Sequence, residues 1–283
     1  MRVARLRDVD SSRLTAEDVE LVRVSLRSVT QGAQKLTAPE PRNGSLAARV
    51  MLTELNDGLP VAAQGPAALF SARIAADAAI EGATDFVDSI QRGRRSVSLA
   101  PTVRAVLEAA SKAHYLLSAN DERDLLVRHQ MLAIEELQYP VKHSQFQMVD
   151  GREIDGEEHR AELERALDQL RGKTAVQFPK MTERVSNLLG VLSDAQPVIY
   201  SQLSGTAHAA TSALGMFLDV STLSFVLPRV IATEYAAYVF AAIVVAADDH
   251  VGAFGVDGVE YERWESSRRR GYVAMKTFRG DED

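Results

Sequence analysis

The stretch from Ala213 to Ala247 is the most apolar in the chain, and any fold of this sequence has to bury it. Asp219, Pro228, Arg229 and Glu234 interrupt it. The uninterrupted part, YAAYVFAAIVVAA at 235–247, is 13 residues long, short of the roughly 20 that a bilayer-spanning helix needs. The expectation is a buried core helix and no membrane partner. The same stretch is apolar enough to form an interface between copies, so a homo-oligomer stays open.

Around this segment the remaining signals are helical. TAEDVELVRVSLRSVTQGAQKL starts with Thr15 as the expected N-cap, has acids in its first turn, and sets Leu21, Val22, Leu26 and Val29 on one stripe. TAPEPRNGS (37–45) breaks the chain, and Ser45 is the expected cap of a short helix that DGLP (57–60) closes. An alanine-rich helix is expected from Pro66 to Gln91. RGRRSVSLAP is a basic connector, and Pro101 suits the first turn of the helix after it. NDERD (120–124) starts a helix to Leu137, EEHRAELERALDQLRG is a charge-laced helix ending near Gly172, Thr182 begins a short one, and Pro197 starts another. Residues 146–154 suit a short hairpin around Asp150-Gly151. DDHVGAFGVDG (248–258) reads as a loop before a polar C-terminal helix over Val259–Phe278. No long window alternates as a strand does.

The predicted fold class is therefore all-α, a multi-helix bundle of about eight to ten helices. It is read as one domain over 1–283, with N-terminal helices in 1–94, a core bundle in 95–255, and a C-terminal helix and tail in 256–283.

Several function classes drop out on composition. There is no cysteine, which excludes disulfides, thiolate metal sites and thiol nucleophiles and makes a reducing cytoplasm the simplest compartment. MRVARLRDVDSSRL has basic residues but no apolar run, so no secretory signal is expected. The formal net charge of −7 disfavours, without forbidding, a nucleic-acid partner. QRGRRS and RWESSRRRGY are the basic patches; Trp264 or Tyr272 in the second could stack on a base, but Glu260, Glu262 and Glu265 share that stretch and favour ordinary surface charge. EEH (157–159) and DDH (248–250) lack the repeated Glu-x-x-His spacing of a di-iron bundle, and no phosphate loop is present, so no metal and no cofactor are expected.

Two helices carry the candidate chemistry. In YSQLSGTAHAATSAL (200–214), Ser201, Ser204, His208 and Ser212 share one side, while Ile199, Leu203, Ala207, Ala210 and Leu214 share another. One reading is close helix packing around small residues with a satisfied core histidine. The other is a polar pocket with His208 as base or donor and Ser204 or Tyr200 beside it, although spacing alone shows no triad. In RAVLEAASKAHYLL, Arg104 and Glu108 lie one turn apart. They pair with each other, or Glu108 orients His208, or Arg104 anchors an anionic ligand. His114 falls on the apolar stripe of that helix and is expected to be packed.

SLAPTVRAVLEAASKAHYLL, ERDLLVR and YSQLSGTAHA together resemble an all-α family of actinobacterial proteins that has an Arg-x-x-x-Glu helix and a Tyr-x-x-Leu-Ser-x-x-x-His helix. Arg104, Glu108, Tyr200, Leu203, Ser204 and His208 match these motifs, over about residues 95–215. Tyr115 departs from them, standing where a tryptophan-rich segment is expected. The resemblance implies the fold and no activity. It extends at a distance to HEPN proteins, several of which are dimeric RNA endonucleases with an Arg followed by His after four to six residues. Arg123 with His129, and Arg152 with His159, fit that spacing, and about two such matches arise by chance.

The leading expectation is a cytoplasmic helical protein acting through an interaction surface or a small polar pocket, its partner a protein or a small molecule. The alternatives are a HEPN-like RNA endonuclease, and a binder of a small anionic or amphipathic ligand. Candidate catalytic groups are His208, Ser204, Tyr200 and Glu108, with Arg123 and His129 behind them. Arg104 is the candidate ligand anchor.

Overall fold

The computed structural model describes residues 14–36, 40–93, 96–137, 145–147, 151, 153–171, 178–191, 198–207, 214, 217–219 and 224–280. Among them are ten α-helices: α1 (Ala16–Leu36), α2 (Leu46–Leu52), α3 (Gly65–Gln91), α4 (Leu99–Leu117), α5 (Glu122–Glu136), α6 (Gly156–Arg171), α7 (Met181–Gly190), α8 (Val198–Ala207), α9 (Arg229–Phe254) and α10 (Gly258–Arg279). The fold is an all-α multi-helix bundle. Two short antiparallel ribbons accompany it. One pairs Gln145–Gln147 with Glu153–Asp155 and places Phe146 opposite Ile154, the hairpin expected around Asp150-Gly151; the other pairs Leu218–Asp219 with Ser224–Phe225.

Local chemistry starts the helices where the sequence predicts. The Thr15 hydroxyl accepts from the Asp18 N–H at 3.1 Å while the Asp18 carboxylate accepts from the Thr15 N–H at 2.9 Å, a reciprocal cap. Ser45 caps α2 through the Ala48 N–H, and Asp121 caps α5 through the Asp124 N–H. α2 stops earlier than expected, at Leu52, and a 3₁₀ turn at Glu54–Asn56 follows it.

α9 is the centre of the molecule. Among the described residues it is the one helix long and apolar enough to cross a membrane. Here it packs against α1, α3, α4, α7 and α10. Tyr235, Val239, Phe240, Ile243 and the run Val244–Ala247 are all buried, because an element apolar on every side has to be surrounded. The large core also includes Val22, Leu26 and Val29 of α1, Ala79, Ile80 and Phe86 of α3, Val103, Val106 and Leu107 of α4, and Trp264 and Phe278 of α10, so the first and last described helices both contribute to it. Burying each leucine or phenylalanine side chain contributes on the order of 1.5–3 kcal/mol. A second core forms where α2, α5 and α6 meet the start of α3, around Leu125, Leu126, Leu163 and Leu167.

The expected loop at 248–258 is mostly helix. α9 continues through Asp248, Asp249 and His250 to Phe254, and Gly255, at φ 68°, ends it in the left-handed region that glycine tolerates. The acids stay helical because their neighbours satisfy them. Asp248 accepts from Trp264 Nε1 at 2.8 Å and from Arg268 Nη1 at 2.9 Å, and Asp249 meets His114 Nδ1 of α4 at 2.7 Å. Trp264 is thereby 1% exposed and cannot stack on a base, whereas Tyr272 stands on the surface.

Close backbone approach holds α10 on α1. The Ser25 hydroxyl donates to the Gly271 carbonyl at 2.8 Å, and a β-carbon at Gly271 would lie 2.8 Å from the Ser25 carbonyl oxygen. At the other end, Arg229 donates to the Asp18 carboxylate at 3.0 Å and to the Phe278 carbonyl at 2.6 Å, tying the starts of α1 and α9 to the end of α10. Burial pushes the Asp18 carboxyl up, but the bonds from Thr15 and Arg229 outweigh it and the group titrates below its ordinary value.

Candidate functional site

α3 and α4 run antiparallel through the short connector between them. Ala72 clusters with Leu116, and a β-carbon at Gly82 would touch Val106. This pairing presents one ridge of α4, carrying Arg104, Glu108 and Lys112 one turn apart, to the elements on either side.

On one side is α8. Arg104 Nε donates to Glu108 Oε1 at 2.7 Å, and the Tyr200 hydroxyl donates to the same oxygen at 2.5 Å. Arg104 Nη1 reaches Ser204 Oγ at 3.5 Å, and its guanidinium lies 5.5 Å from the centre of the Tyr200 ring. Arg104, Glu108, Tyr200 and Ser204 therefore converge from segments almost a hundred residues apart. His208 and Ser212 lie outside the described residues, and Ser201, predicted on the same stripe, is exposed.

The electrostatics keep the Arg104 guanidinium charged and the Tyr200 phenol protonated near neutrality. The bond to Glu108 is the largest influence on Arg104 and raises it further, against burial. Burial first, and then the hydrogen bond to Glu108, raise Tyr200, so its phenol remains a donor. The Arg104 and Glu108 side chains are 26% and 28% exposed, so the pair is half-solvated and its mutual attraction is screened.

On the other side of the ridge, α5 crosses the α3–α4 pair and leaves a cleft of about 420 Å³. Its floor is alanine: Ala75 from α3, Ala109 from α4 and Ala133 from α5, with Ala78 and Ala105 at its exposed side. Ile74, Leu116 and Leu132 wall it, and Ser71, Glu108, Lys112, His129 and Glu136 are its polar groups. Lys112 Nζ and Glu136 Oε1 bridge α4 to α5 at 2.6 Å. The cleft exists because alanines stand where larger side chains would close the gap between crossing helices, and its volume falls within the range of small-molecule sites.

Sequence reasoning missed this cleft. The signal was present as alanines three and four apart, in the alanine-rich α3 and in AVLEAASKAH. A stripe of small residues reads equally as tight packing, however, and only the placement of α5 beside α3 and α4 separates the two outcomes.

His129 is 5% exposed, and its Nε2 lies 2.9 Å from the Ala62 carbonyl. A carbonyl accepts only, so Nε2 carries the proton and Nδ1 is an acceptor. Burial holds this imidazole below its ordinary value, against the Ala62 bond and the nearby Glu136. Arg123 is engaged elsewhere, donating to the Leu170 carbonyl at the end of α6 at 2.8 Å. Six residues along a helix also set the Arg123 and His129 side chains about 120° apart around the axis. Arg152, of the second such spacing, lies outside the described residues, and His159 sits beside Glu162 at 4.0 Å.

Another polar network belongs to the scaffold. The Arg184 side chain of α7 is fully buried, donating to Glu135 at 2.8 Å and to the Pro179 carbonyl at 2.9 Å with the Phe178 ring beneath it. No family model, curated protein or solved structure matches this chain.

Proposed function

We propose that this protein binds a small amphipathic molecule in the cleft between α3, α4 and α5, without transforming it. The observation that carries this reading is the cleft itself, about 420 Å³ with an alanine floor, apolar walls and a few convergent polar groups. The neighbouring cluster supports a positioning role. Tyr200 and Arg104 both spend hydrogen bonds on one oxygen of Glu108, which fixes the carboxylate at the margin of the cleft. A preorganised carboxylate on a rigid helix costs little further ordering when a ligand arrives.

Arg104 serves here as a support for Glu108 rather than as an anchor for an anion, since its guanidinium is turned to α8 and already engaged by a carboxylate.

Ligand-observed NMR with 1-hexanol, a neutral amphiphile, tests the reading. Saturation transfer to hexanol is expected from the native protein and is expected to vanish in Ala109→Leu, which fills the floor. Equal transfer in both proteins refutes the cleft as the site.

A further inference from the structure

The cleft's polar groups differ in what they still have to offer. Glu108 uses Oε1 for both Arg104 and Tyr200, and among the described residues Oε2 has no partner. Glu136 uses Oε1 for Lys112, and its second oxygen is likewise unspent among the described residues. His129 donates through Nε2 and leaves Nδ1 as an acceptor. Among the described residues Lys112 is the sole ammonium lining the cleft, and a carboxylate already engages it. Within the cleft, then, two carboxylates face one ammonium, and the uncommitted atoms are chiefly acceptors.

From this complementarity we propose that the ligand is a small amphipathic cation: an aliphatic or aromatic body bearing a protonated amine. The amine sits at the mouth and donates to Glu108 Oε2 and to Glu136, with Lys112 turning out to solvent in exchange. The body lies along the alanine floor between Ile74, Leu116 and Leu132. From Ala105 to Leu116 the α4 side of the trough is about 16 Å long at helical rise, room for a chain of six to eight carbons. Glu108 is partly exposed and Ile74 is exposed, so the charged head keeps some of its water while the body loses water only on its side against the helices, the arrangement in which amphipathic groups lie at apolar surfaces. A carboxylate head in the same place would meet Glu108 and Glu136 and could pair only with a lysine already taken. This assignment rests on the cleft being the binding site and adds the chemical class of what fills it.

Three probes of equal chain length separate the two levels: hexylammonium, 1-hexanol and hexanoate, titrated at low salt and neutral pH and followed by calorimetry and ligand-observed NMR. Hexylammonium is expected to bind about tenfold or more tighter than hexanoate, with hexanol between them. Glu136→Gln is expected to remove most of that preference, and Lys112→Met to raise hexylammonium affinity several-fold by deleting the competing cation. A merely destabilised protein would not bind more tightly, so the lysine variant keeps the test sharp even if an acid variant folds poorly. Equal binding of all three probes, lost in Ala109→Leu, would overturn the cation and leave the cleft standing. Preference for hexanoate would overturn the cation as well. Binding of none, or binding that survives Ala109→Leu, would remove both.

Discussion

His250 offers the sharpest quantitative test of how this molecule is built. The residue is 2% exposed, stacks on Phe254 with ring centres 4.0 Å apart, and borders a very small apolar cavity with Leu36, Ile80 and Ile243. Neither ring nitrogen makes a hydrogen bond of good geometry among the described residues, although the Leu36 carbonyl acts on the ring. Burial pushes its pKa down to about 4, against a weaker opposing influence of the Leu36 carbonyl. The unfolded chain holds this proton below about 6.5, whereas the folded chain refuses it until about 4. More protons therefore bind the unfolded state across that window, and stability rises with pH through it and levels off above it. Integrated from pH 7.5 to pH 5, this one group costs the native state about 2 kcal/mol.

His250→Phe retains a flat ring against Phe254 and removes the titration. Urea unfolding at both pH values, followed by circular dichroism, measures the change for each protein. His129 and His159 also titrate below their ordinary value because of burial, and Glu234 above its own, so the His250 contribution is read from the difference between the two proteins. The variant is expected to lose about 2 kcal/mol less than native between the two pH values. An identical loss in both proteins would show that the His250 ring is hydrated or partnered in solution and would refute the burial argument.

Two further outcomes check the scaffold and the cluster. Gly271→Ala forces a β-carbon against the Ser25 carbonyl where α1 and α10 touch, and thermal unfolding is expected to show about 1–3 kcal/mol of destabilisation; no effect would mean that the two helices separate freely. Arg104→Ala removes a half-solvated partner of Glu108, and urea unfolding is expected to show a loss of only about 1 kcal/mol because solvent screens the pair. A loss of several kcal/mol would instead make Arg104 a structural member of a dry network.

The short-range features of this chain were legible residue by residue. Thr15, Ser45 and Asp121 cap their helices through atoms three residues away, and the 235–247 run had to be buried wherever it lay, so both follow from local stereochemistry and hydrophobicity. The Arg104–Glu108 pair is also an interaction within one turn. Tertiary structure decided what such local rules do not reach. It brought Tyr200 and Ser204 of α8 onto that pair, and it matched His114, Trp264 and Arg268 to Asp249 and Asp248 so that an acidic stretch resembling a loop stayed helical. It also set α5 beside α3 and α4 so that a cleft opens over their alanines. Helical periodicity specifies which residues share a face. Which faces meet, and at what crossing angle, depends on ridges packing into grooves across the whole bundle, so whether a stripe of small residues becomes a tight contact or an open cleft is settled only there.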